Sequence, residues 1–129
     1  VASDGTNGLD NRDVREVPTS AAALDAGYHV PSGTIEIDLS RVSDLEALNG
    51  RTVDLGANAG EIIVIVPRGL NVHVAADIRY AGQINIGDEE RDGLGQSMER
   101  TLTTSTAPGT PTLDLDIEVR FGQITVSQN

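Results

Sequence analysis

The chain has 129 residues, enough for one domain, and its 38% hydrophobic content includes no Trp, one Phe and two Tyr. A formal charge of −11, from 20 acidic residues against 9 basic ones that are all Arg, disfavours nucleic acid and anionic lipid surfaces as partners. With no Cys there is neither a disulfide framework nor a thiolate metal site.

A core of Val, Ile, Leu and Ala suits narrow, regular layers, and 14 Gly point to many tight corners. No window approaches the apolar length of a membrane span. No signal-peptide pattern is visible and the first residue is Val1, so the expectation is a soluble piece of a longer protein.

Residues 1–16 are polar and rich in Gly, Asn and Asp, and read as a flexible lead-in before a folded domain over 17–129. Asp4, Asn7, Asp10 and Asp13 lack the alternate spacing and distant Glu of a calcium loop. One or two helical turns are expected after Ser20, and another after Ser43, each Ser serving as the cap. Between them Ile35, Ile37 and Leu39 alternate with Glu36, Asp38 and Ser40, which predicts a strand with one buried face.

Gly60 to Pro67 is the most apolar stretch, with β-branched residues throughout Ile62–Val66. It predicts a strand buried on both sides and stopped by Pro67. Leu70, Val72, Val74, Ala76, Ile78 and Tyr80 share one parity, predicting a half-buried strand broken near Ala75-Ala76. Asp88–Gly95 and Thr106–Thr112 read as loops, with Met98–Ser105 weakly strand-like between them. Leu113, Leu115, Ile117, Val119 and Phe121 then alternate without a fault against Asp114, Asp116, Glu118 and Arg120.

One unit recurs four times: a Gly, a polar residue, Ile, any residue, then Ile or Val, beginning at Gly33, Gly60, Gly82 and Gly122. The glycines are 27, 22 and 40 residues apart, which fits a common rung if the last interval holds an inserted loop or an extra rung. The fold expected is all-β, a right-handed β-solenoid with glycine corners. A β-sandwich is the alternative.

From Val17 onward the chain resembles the C-terminal soluble, toastrack-like domain of bacterial phage-shock-protein C-like and cell-wall-stress regulator membrane proteins, related to adhesin-type repeat domains. The residues that carry the likeness are Tyr28 to Leu39, Val53 to Glu61, Val64-Ile65-Val66-Pro67, Ile78 to Ile86, Asp92 to Gly95 and Leu113 to Val126. The resemblance implies a one-sided right-handed β-helix attached to membrane-spanning segments, which this chain lacks. It implies envelope-stress signalling at a bacterial cell membrane, beside a membrane histidine kinase or a sister membrane protein. It brings no catalytic residue.

The residues themselves point the same way. His29 and His73 share no metal-ligand spacing. Ser97 lacks the second Gly of a nucleophile elbow, and Gly93-Leu94-Gly95 lacks the third Gly of a dinucleotide fingerprint. No catalytic, cofactor or metal site is expected. Asp114, Asp116 and Glu118 put three carboxylates on one strand face, the candidate contact face for a protein partner. The alternatives are a structural or adhesive solenoid that forms homo-oligomers through open ends or edges, or a module binding cell-wall polymer or lipid. The absence of aromatic platforms weighs against sugar.

Overall fold

A computed structural model describes residues 11–24, 27–103 and 108–128. Asp4, Asn7 and Asp10 lie outside them. Among the described residues seven strands form one open sheet: β1 (Asn11–Glu16), β2 (Gly27–Asp38), β3 (Thr52–Val66), β4 (Asn71–Ile86), β5 (Glu89–Leu94), β6 (Ser97–Leu102) and β7 (Thr112–Gln128). The spatial order is β1-β2-β3-β7-β4-β5, with β6 also paired to β4. A single sheet replaces the two that a sandwich needs. Among the described residues no helix is long and apolar enough to cross a membrane.

The four glycine units stack side by side. Gly33 pairs with Gly60, Gly60 with Gly122, and Gly122 with Gly82. All four have positive φ, from 122° to 158°. The backbones also approach too closely for a side chain. A Cβ on Gly60 would lie 1.8 Å from the Gly33 carbonyl oxygen, one on Gly122 1.8 Å from that of Gly60, and one on Gly82 1.9 Å from that of Gly122.

Each long strand turns a corner at this ladder, and in β2, β3 and β7 the inward parity changes there. In β3 the buried residues are Val53, Leu55 and Ala57 before Gly60, then Ile62, Val64 and Val66 after it. β7 repeats this with Leu113 to Val119 and then Ile124 and Val126. The inward residues of both legs meet: Ile37 and Val64 of the second legs line the same apolar crevice as Val53, Leu55, Leu113 and Leu115 of the first legs. Full burial of such a side chain stabilises by about 1.5–3 kcal/mol, so stacked Ile and Val rows supply the core that aromatics do not.

The corner explains three departures from simple periodicity. Ile63 and Ile65 are only half-buried, because the second leg has one inward face and not two. Phe121 falls at the turn of β7, where continued alternation would have buried it, and is exposed. β4 runs unbroken through Ala75-Ala76, and its irregularity lies between Ile78 and Ala81. One extra residue is accommodated there opposite β7, so the inward parity of Val72 to Ile78 returns at Ile84 and Ile86, and Tyr80, between them at the corner, is exposed.

The last glycine interval is resolved by order in space. Asp88–Gly95, expected as a loop, contains β5, antiparallel to the second leg of β4. β6 runs antiparallel to its first leg, with Met98 buried. β5 has no buried residue, so no apolar period could announce it. β7 then enters between β3 and β4 and pairs parallel with both. At the other edge β1 takes in Asn11–Glu16 of the expected lead-in, where Val14 pairs with Ile35.

Two 3-10 turns, Ala21–Ala23 and Leu45–Leu48, occupy the links before β2 and β3. Neither expected Ser forms a side-chain cap. Asp44 instead accepts the Ala21 N–H at 2.7 Å, and Arg51 donates to the carbonyls of Ala21 and Leu24 at 2.6 and 2.8 Å. After β2, Asp38 accepts from the Ser40 hydroxyl at 2.6 Å and from its N–H at 2.9 Å, which holds the Asp38 carboxyl below its ordinary range.

Two outcomes follow from the ladder and the corner. Gly60→Ala must push β2 and β3 apart, costing more than the roughly 1–3 kcal/mol of an isolated strained residue. Gly50→Ala, with open space around it, pays only its backbone penalty of about 1–2 kcal/mol. Denaturant midpoints of the two variants check the order. Val64→Asp strands a charge in the core and abolishes the cooperative transition, whereas Ile63→Asp leaves a folded protein with a lowered melting temperature.

Candidate functional site

The outer face of the first legs is built from residues that alternate with the buried ones, so the sheet register decides which of them meet. Thr52, Asp114 and His73 form one row across β3, β7 and β4. Asp54, Asp116 and Ala75 form the next, with Gly27 and Glu99 at its ends. His29, Gly56, Glu118 and Asp77 form the third.

Gly56 leaves a gap in that third row. A shallow groove of about 540 Å³ opens over it, with His29, Asp54, Asn58, Asp116, Glu118 and Arg120 around it. The imidazole of His29 leans across the floor, since a Cβ on Gly56 would come within 3.3 Å of His29 Nδ1.

The three carboxylates singled out in the sequence share this face but not one environment. Asp114 lies 3.9 Å from Nδ1 of His73, whose Nε2 is 3.0 Å from Glu99. Glu118 accepts a hydrogen bond from Arg79 at 2.8 Å, which pushes the Arg79 pKa further above its ordinary value and keeps the guanidinium charged. Glu118 also faces Asp77 across the β7–β4 ladder, while Asp116 faces Asp54 across the β3–β7 ladder. Neither Asp54 nor Asp116 has an ion-pair partner among the described residues.

The concentrated negative charge is therefore the Asp54–Asp116 pair beside the groove. Asp54 could be placed outward from its alternation with Val53 and Leu55. Its neighbour could not be named, because β7 enters from far along the chain. Among the described residues no group of three or more His, Asp or Glu side chains is placed to hold a metal ion. No family model, curated protein or solved structure matches the chain.

Like charges directly opposed on a sheet destabilise it. Asp54→Asn should raise stability by about 0.2–1 kcal/mol at low ionic strength. The gain should shrink as salt screens the pair. Thermal melts at low and high salt test this, and a loss of stability in Asp54→Asn would show that the two carboxylates are bridged by a cation.

Proposed function

We propose that this chain is a non-catalytic contact domain whose acidic outer face receives a basic segment of another protein. The observation that carries the reading is the uncompensated Asp54–Asp116 pair at the rim of an open groove. Two opposed carboxylates cost stability on their own and are relieved by an incoming cation. A negative field over the groove steers a basic partner and raises its association rate.

The parallel rungs are read as a right-handed, one-sided β-solenoid. The general right-handedness of crossovers between parallel strands supports this. The setting is that of the resemblance described above: a soluble domain of a membrane-anchored bacterial envelope-stress protein. The partner would be a membrane histidine kinase or a sister membrane protein. A second reading, self-association, rests on β1, which ends the sheet order with no strand beyond it among the described residues.

A labelled peptide of alternating Arg and Ser should bind the chain, with affinity that falls steeply as salt is added. Asp54→Lys combined with Asp116→Lys should weaken it at least tenfold, about 1.4 kcal/mol. Unchanged affinity would sink the acidic face as the contact. The non-enzymatic reading falls if the chain hydrolyses a cell-wall polymer or a lipid and Glu118→Gln abolishes that turnover.

A further inference from the structure

The chain has only three aromatic side chains, and two of them are spent on the surface at one corner. Tyr80 and Phe121 are 52% and 54% exposed, and their rings stack with centroids 5.1 Å apart at 24°. Leu94, 78% exposed, belongs to the same corner. It pairs with Ala81, and the next residue, Gly95, donates its N–H to the Tyr80 carbonyl at 3.0 Å. On the other side, Phe121 pairs with Ala59, which is exposed and too small to cover the ring.

A backbone irregularity lies beside this patch. Tyr80 has the parity of the buried Val72, Val74, Ala76 and Ile78, and it is turned outward at the corner, where the irregularity between Ile78 and Ala81 lies. Bulges of this kind re-aim side chains and are enriched beside functional sites. The patch adjoins the acidic groove along the chain. Arg120 lines the groove and is the chain neighbour of Phe121. Arg79, the chain neighbour of Tyr80, is tied to Glu118 of the groove.

We propose that the Tyr80–Phe121 stack is the apolar anchor of a docking surface for an extended cationic segment of another protein. Its charges lie along the Asp54–Asp116 rim, and an apolar side chain sits on the rings. The charge half rests on the function proposed above; the anchor rests on the exposed pair and the bulge. Charge complementarity selects this occupant over a second copy, which would bring its own acidic face toward this one. The ring geometry disfavours a sugar chain. The two rings use one face on each other, which leaves no side-by-side pair of open faces for successive sugar units. Tyr and Arg, which this corner exposes together, are enriched at interface hot spots.

Two labelled peptides test the anchor against the full chain. Both alternate Arg and Ser, which puts Arg on one face of an extended strand. One continues into Leu on that face, and the other into Ser. Wild type should bind the Leu peptide about tenfold more tightly. Tyr80→Ser combined with Phe121→Ser should erase that preference while keeping the affinity for the Ser peptide. Leu94→Ser should reduce the preference independently. All three residues are exposed, so melting temperatures should stay near wild type.

The anchor is overturned if wild type shows no preference for Leu, or if the double variant keeps it. Loss of Ser-peptide binding with Asp54→Lys and Asp116→Lys, alongside an unchanged Leu preference in the aromatic variant, would keep the acidic contact and discard the anchor. Binding of neither peptide would discard both. A concentration-dependent dimer in sedimentation, removed by the aromatic variant, would put a second copy on the patch. A soluble chito-oligosaccharide bound by wild type and lost in the aromatic variant would put a sugar there. Either result overturns the cationic segment as occupant.

Discussion

Backbone meets backbone at Gly33, Gly60, Gly122 and Gly82, and across those contacts there is no space for a Cβ. Almost everything else in the sheet depends on that closeness. Strands can turn a corner in register only if every one turns at the same level, and each corner must nest on the next. Glycine alone tolerates both the positive φ and the approach. Once the corners coincide, Ile35, Ile62, Ile124 and Ile84 fall into one inward row, and Ile37, Val64, Val126 and Ile86 into the next. The hydrophobic rows are thus a consequence of the ladder as much as a cause of the fold.

The same corner positions the outer surface. The first legs present their wet side as a flat grid in which a missing side chain at Gly56 becomes a groove. Charges that are far apart in the chain become direct neighbours across β3, β7 and β4. Some neutralise one another, as Arg79 and Glu118 do, and the Asp54–Asp116 pair does not. At the ridge itself, alternation fails by necessity. Aromatics that lie at the turn are released outward, where Tyr80 stacks on Phe121 beside the single extra residue in β4.

The strand order has a kinetic meaning. β3 and β4 are joined by a short link, yet they flank a slot filled by β7, which follows the antiparallel β5 and β6 in the chain. The central pairings of the sheet are therefore among the most distant in sequence. Contacts of that kind form slowly, because loop-closure entropy must be lost before they are gained. The charged, exposed β5 suits an edge that has to avoid pairing with other chains.

The sequence by itself determined a good deal. Four repeated glycine units announced the corners, and the alternation of Leu113 to Val119 with Asp114 to Glu118 announced which face was dry. The aliphatic composition excluded a bulky aromatic core, and the acidic charge weighed against phosphate-rich partners. These are local or compositional properties, readable from a strand's period of two and from the conformations that only glycine permits. What the sequence could not carry was adjacency. Nothing local in Thr112–Gln128 says that it will enter between β3 and β4, so the pairing of Asp54 with Asp116 was invisible. β5 is wet on both faces and has no period to read. Ile63 looked buried and Tyr80 looked inward, because parity counts straight through a corner that the chain does not take straight. Only the tertiary structure, by fixing where backbones touch and where one extra residue is absorbed, decided which side chains face water together.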